Sequence, residues 1–182
     1  MEAMIEKLFN ETKRKDNKIR LNALNGLLDI TEKKVDWFDE VFDDLKNRLK
    51  SDNSYQRSIG MMLLCNLSKS DNENHLKIVL PDLLQLLKDE KFITRRQTIQ
   101  NIWKIAIEKD NLQKKIIEVL LEKFYECLFE EHYNLIRQDI ISSLFSIHQK
   151  DTDSCPISII NDLIEDEKDV KLQKKYQKIL NT

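Results

Sequence analysis

Glycine and proline are nearly missing from this 182-residue chain, which holds two of each. Sheets and tight turns draw on both, because glycine supplies left-handed backbone and proline presets a turn. Their scarcity excludes a turn-rich β protein and leaves helices. Cysteine is also sparse. Cys65, Cys127 and Cys155 are odd in number and far apart, which gives neither a disulfide framework nor a paired metal motif. Reduced thiols in a cytosol-like compartment are expected. The three histidines, His75, His132 and His148, lack the spacing of a zinc site. Apolar runs such as Ile78-Val79-Leu80 break within a few residues, well short of the eighteen or so that span a bilayer. The start, Met1-Glu2-Ala3-Met4-Ile5-Glu6-Lys7, lacks the basic opening and long apolar stretch of a signal peptide. No sign of charge dominates: 30 Lys and Arg face 32 Asp and Glu, a net charge of −2. Nucleic-acid binders gain affinity from excess positive charge, so this balance argues against that class. A cytoplasmic protein with no membrane segment, cofactor or metal is expected.

What is present is a repeat. Arg20, Arg57, Arg95 and Arg137 recur at steps of 37, 38 and 42 residues. A period near 40 is one supersecondary unit copied along the chain. Three and four residues after each arginine come Ala23/Leu24, Gly60/Met61, Thr98/Ile99 and Ile140/Ile141. Seven and eight after come Leu27/Leu28, Leu64/Cys65, Ile102/Trp103 and Leu144/Phe145. Those offsets trace one apolar helical face. They predict second helices over residues 16–32, 53–69, 92–108 and 134–149. Between them, helical spacing predicts first helices over 35–50, 74–88 and 111–129, after a short one at 2–11. Ile157, Ile160, Leu163 and Ile164, then Leu172, Tyr176, Ile179 and Leu180, repeat the theme at the end.

The connections are short and polar, with Ser and Asp placed to cap the next helix. Pro156 suits a first helical turn, whereas Pro81 falls inside an apolar pattern and predicts a kink or a fresh helix start. An acidic residue precedes each arginine: Asp16, Asp52, Asp89, and Glu130 or Glu131. The guanidinium is expected to reach that carboxylate or carbonyls of the adjacent repeat. Lys171, Lys174, Lys175 and Lys178 surround a thin apolar seam, and Leu172 takes the arginine slot, as in a unit that closes an array.

Leu80-Pro81-Asp82-Leu83-Leu84-Gln85-Leu86-Leu87-Lys88-Asp89, followed by Arg95, Thr98, Ile99, Ile102 and Ile105, resembles the HEAT repeat family and its armadillo relatives. Pro81 has no match in the first two repeats, and Ile140 stands where a small residue is usual. The resemblance implies an all-α fold, a right-handed superhelix of about five hairpins in one domain. Approximate repeat bounds are 1–33, 34–70, 71–110, 111–151 and 152–182. It also implies a non-enzymatic scaffold that binds a protein or peptide along its second helices. Two, five and nine residues after the arginines lie the candidate contact residues Ile59, Met62, Asn66, Gln97, Gln100 and Lys104. Ile59 and Met62 either form an apolar spot there or pack on the next repeat. Some HEAT-like proteins are DNA glycosylases that hold a base with tryptophan and Asp. That alternative rests on Trp37 beside Asp36 and on Trp103, with Arg95, Arg96 and Lys104 for phosphate. In this register Trp103 falls on the buried face and Trp37 opens a first helix, and the charge balance disagrees. A subunit of a larger assembly is a further alternative. Cys155, before a helix start, is the one thiol whose pKa the helix dipole is expected to lower.

Overall fold

The computed structural model describes residues 2–181, and among them all regular secondary structure is helical. The α-helices are α1 (Ala3–Glu11), α2 (Asn17–Ile30), α3 (Phe38–Arg48), α4 (Ser54–Asn66), α5 (Leu76–Gln85), α6 (Phe92–Glu108), α7 (Asp110–Glu126), α8 (Tyr133–His148), α9 (Ile157–Glu165) and α10 (Val170–Gln177). Short 3-10 turns extend α4, α5 and α7 over Leu67–Ser70, Leu86–Lys88 and Cys127–Phe129. No helix among the described residues is long and apolar enough to cross a membrane. The chain forms two compact units, the first ending at Thr98 and the second beginning at Ile99.

The arginine register places the core correctly. At offsets of three, four and seven, Ala23, Leu24, Leu27, Met61, Leu64, Thr98, Ile99, Ile102, Ile140, Ile141 and Leu144 are all buried. At offset eight only Cys65 is buried, while Leu28, Trp103 and Phe145 are partly exposed. The face narrows there because a 3.6-residue turn rotates that position off the seam.

Helix starts are set by side-chain caps. Asp16 accepts from the Lys18 and Ile19 amides at 2.8 and 3.0 Å, and Asp169 from the Lys171 and Leu172 amides. Asn53 accepts from Tyr55 N–H at 3.0 Å. Buried Asp71 reaches the His75 and Leu76 amides at 2.9 and 3.0 Å. Each satisfies N–H groups that have no partner within the helix.

The expectation of a restart at Pro81 is corrected, because α5 runs from Leu76 through Pro81 without interruption. Proline costs the Lys77 carbonyl its partner four residues on. Both Lys77 and Pro81 are exposed, so that carbonyl is not buried without a partner.

Within the first unit, α1 packs on α2, α3 on α4, and the second helices α2 and α4 lie against each other. Gly60 sets how closely α3 and α4 approach. A methyl group there would lie 2.8 Å from Arg48 Cβ and 2.9 Å from the Leu45 carbonyl. Gly26 has room, with Leu8 Cδ1 at 3.5 Å.

The repeat arginines are buried or half-buried, and three of them make one shared contact. Arg20, Arg57 and Arg95 donate from Nη1 to the carbonyl six residues back, on Arg14, Ser51 and Asp89, at 3.0, 2.8 and 2.7 Å. The expectation of carbonyls from the adjacent repeat is corrected, because these acceptors lie in the repeat's own hairpin turn. The carboxylate half is corrected. Asp16 caps α2, and Arg57 takes the carbonyl of Asp52 at 3.1 Å, with its carboxylate partner arriving from the following turn. Arg57 Nε and Nη2 meet both oxygens of Asp89 at 2.6 and 2.8 Å. Burial alone would raise the Asp89 carboxyl. The Arg57 hydrogen bond, the Lys91 amide and the nearby guanidinium charges outweigh it and hold the group below the ordinary carboxylate range.

In the second unit, α7 packs on α8, α8 on α9, and α10 on both α8 and α9. Arg137 keeps the forward bridge and loses the local one. It donates to Glu167 at 2.8 Å and to the Phe124 carbonyl at 3.0 Å, with its guanidinium 4.2 Å from the Phe124 ring centre. Tyr176 of α10, fully buried, donates to the Asn134 carbonyl at 3.0 Å. The four expected outer lysines of the last helix are exposed.

A second set of buried cations gave no periodic signal. Arg48, 5 % exposed, donates to Thr12 Oγ1 at 2.8 Å and to Asp44 at 2.8 Å, tying α3 to the end of α1. Lys123 pairs with Glu130 at 2.5 Å at the matching end of α7.

Two outcomes follow from this packing. Gly60→Ala is expected to lower the unfolding free energy by about 2 kcal/mol through overpacking, and Gly26→Ala to raise it by about 0.5 kcal/mol through chain entropy, both read from urea midpoints. Asp89→Ala leaves Arg57 buried without its carboxylate and is expected to cost about 3 kcal/mol or more, whereas exposed Asp52→Ala should stay within about 0.5 kcal/mol. Because folding lowers the Asp89 pKa, its contribution is complete above the ordinary carboxylate value and fades as pH falls through the folded one. The acid limb of the stability curve should therefore flatten in Asp89→Ala.

Candidate functional site

Three second helices of the repeats border one groove. From α2 come Asn17, Arg20, Leu21 and Leu24, and from α4 come Tyr55, Ser58, Ile59 and Met62. Each set follows helical neighbour spacing of three, four and seven, so each is one continuous stripe. The start of α6 adds Ile93, Thr94 and Gln97, with Lys91 just before it. The groove holds about 680 Å³, inside the range of sites that take a ligand or a few side chains of a peptide. Ser58 and Thr94 hydroxyls meet at 3.2 Å and fix α4 against α6 along its floor.

The surface is apolar and open. Leu21, Tyr55 and Ile93 are 56, 57 and 62 % exposed, while Leu24 and Ile59 are buried beneath them. Arg20 and Lys91 supply positive charge, and no Asp or Glu is among the lining residues. Among the described residues Arg20 donates to neutral acceptors, the carbonyls of Arg14 and Lys15 and the Asn17 side chain. Its guanidinium lies 4.1 Å from the Tyr55 ring centre, a geometry in which cation and ring attract each other. Lys91 Nζ stands 3.6 Å from the Glu90 carboxylate on the outer side.

Of the six expected contact residues, Ile59, Met62 and Gln97 line the groove. Of the apolar pair, Ile59 is buried and Met62 partly exposed. Asn66 is corrected. It is buried and donates to the Leu28 carbonyl at 2.9 Å and Thr31 Oγ1 at 2.8 Å, joining α4 to α2. Gln100 and Lys104 belong to the second unit. There Gln100 donates to Asp139 at 2.9 Å and Lys104 to Asn101 at 2.9 Å. The offsets of two, five and nine missed Leu21, Tyr55 and Ile93. Tyr55 and Ile93 stand two residues before their arginines and Leu21 one after, and an apolar residue at those exposed positions was the available signal.

The tryptophans go elsewhere. Trp37 is 6 % exposed and meets Phe9 edge-on at 5.8 Å, so it is core rather than a base-stacking surface. Trp103, expected on the buried face, is partly exposed and donates to the Gln100 carbonyl at 3.0 Å. Arg95 and Arg96 lie over the Phe92 ring, 5.5 and 5.8 Å from its centre. His75 stacks on Phe42 at 4.9 Å, 3.4 Å from Asp39, and His148 Nδ1–H donates to the Cys155 carbonyl at 2.9 Å.

The expectation for Cys155 is reversed. Its thiol is fully buried, with the Leu144 carbonyl at 3.6 Å. Burial, with the Asp151 charge adding, pushes it up to about 11. Burial also raises the Cys127 thiol. These are core sulfhydryls, poor nucleophiles near neutrality. The sequence matches no known family profile and no curated protein.

All three cysteines are buried, so a thiol reagent at pH 8 should label none of them in the native protein and all of them in denaturant. Since Cys155 ionises at higher pH when folded, stability should decline as pH rises from about 9 to about 11. Rapid stoichiometric labelling of the folded chain would contradict the placement.

Proposed function

We propose that this chain is a non-enzymatic helical-repeat protein of the HEAT type, a right-handed solenoid of about five hairpins. In this reading it holds a protein or peptide segment in the groove of α2, α4 and α6. The repeated arginine register and its shared six-back contact support the repeat reading. The observation that carries the binding reading is the groove itself: Leu21, Tyr55 and Ile93 stand more than half exposed above buried Leu24 and Ile59. An apolar patch of that kind, rimmed by polar groups, is typical of an interaction surface. Half-exposed Met62 adds an adaptable contact. For the base-excision alternative, Trp37 is a core residue and Trp103 is partly exposed, so only one of its two rings faces outward.

The test is selection of peptides from a random display library against the folded protein, followed by measured affinities. Peptides carrying an aliphatic or aromatic anchor and acidic flanks should be enriched. Leu21→Glu, Met62→Glu and Ile93→Glu should each weaken them about tenfold or more, which is ~1.4 kcal/mol. Gln100→Glu should leave binding unchanged. No enriched peptide, or peptides indifferent to all three groove variants, would defeat this reading.

A further inference from the structure

Phe129 is the most exposed large apolar side chain described, at 96 %. It ends the 3-10 turn Cys127–Phe129, and Leu128 beside it is 43 % exposed. The turn is held firmly beneath. Cys127 is fully buried, with its thiol 3.4 Å from the Phe124 carbonyl, and buried Lys123 grips Glu130 at 2.5 Å. A rigid turn thus presents an aromatic ring outward. Flexible chain would lose more entropy on docking than a turn already fixed. Its flanks are acidic: Glu126 is exposed, and the Glu131 side chain is 88 % exposed.

The groove is the counterpart of that tip in shape and sign. It is apolar, open, lined by Arg20 and Lys91, and free of lining carboxylates. Arg20 is 8 % exposed, and among the described residues its charge is met by neutral acceptors and the Tyr55 ring. A molecule that displays an apolar knob and, elsewhere on its surface, a pocket complementary to it can associate head to tail. Resting on the groove reading above, we propose that the partner is a second copy of this chain. Phe129 of one copy enters the groove of the next, and Glu126 and Glu131 face Arg20 and Lys91.

One knob in one groove buries less area than a standard interface, so association is expected at a Kd on the order of 100 μM, weakening as salt screens the charges. Sedimentation of the wild type should show average mass rising with concentration. Phe129→Ser and Ile93→Glu, both at exposed positions, should each remain monomeric with unchanged circular dichroism and urea midpoints. Mixed together they should regain a one-to-one complex, because one variant keeps its groove and the other its Phe129. A wild type that stays monomeric to roughly 1 mM, association that survives either substitution, or a mixture that fails to pair would each overturn the proposal. If the chain is monomeric while selected peptides still bind the groove, the self-association falls and the peptide-binding reading stands. If no peptide binds either, both fall.

Discussion

A buried guanidinium between two hairpins is the constraint on which the first unit turns. Arg57 is 9 % exposed and Asp89 8 %. Neither charge is favourable away from water unless the other is present at hydrogen-bonding distance. The pair is two-pronged, and the remaining N–H groups of Arg57 close on the Ser51 and Asp52 carbonyls. One side chain therefore fixes its own hairpin turn and the next. Any sliding of α4 against the α5–α6 turn would strand a carboxylate and a guanidinium in the core. Hydrophobic contacts alone tolerate such slippage much better, because they have no direction.

The packing around that pair is correspondingly tight. Gly60 lets α3 come within a methyl radius of α4, and Arg48 uses the space to reach Thr12 in the first hairpin. At the opposite end of the helices, Asn66 performs the same joining task with two donors to α2. Polar bridges at both ends and aliphatic side chains between them keep α2 and α4 adjacent. The groove exists because these second helices are held side by side while their outer stripes stay uncovered.

Much of this was legible in the primary structure and some was not. The spacing of Leu27, Leu64, Ile102 and Leu144 predicted the core face because burial of aliphatic side chains repeats with the helix period. The recurrence of arginine located the second helices to within a few residues. The partner of each arginine was not legible. Asp52 and Asp89 look alike in the sequence, and only the tertiary path puts Asp89 beside Arg57. Asn66 looked like a surface amide because its offset matches the groove side, yet the end of α4 lies against α2 and encloses it. Cys155 looked activated by its place before α9, but fold-wide burial outweighs a local helix end. Leu21, Tyr55 and Ile93 were missed for a different reason. A lone exposed apolar residue is ordinary, and only three together from separate helices make a surface.

At the groove, Arg20 differs from Arg57 and Arg137. Arg57 and Arg137 each find a carboxylate in the following turn, Asp89 and Glu167. Arg20 instead meets the ring of Tyr55, which occupies the first turn of α4. Exchanging an ion-pair partner for an aromatic ring has two consequences at once. The arginine keeps its positive charge while 8 % exposed, and the ring that covers it becomes part of an apolar wall. Natural sequences break their own local rules mainly where function requires it. A purely structural first repeat would gain more from an acid facing Arg20 than from an exposed tyrosine, since charge-assisted hydrogen bonds are the stronger kind. The ring in place of a carboxylate is thus the local feature that most directly sets the Arg20 surroundings apart from those of Arg57 and Arg137.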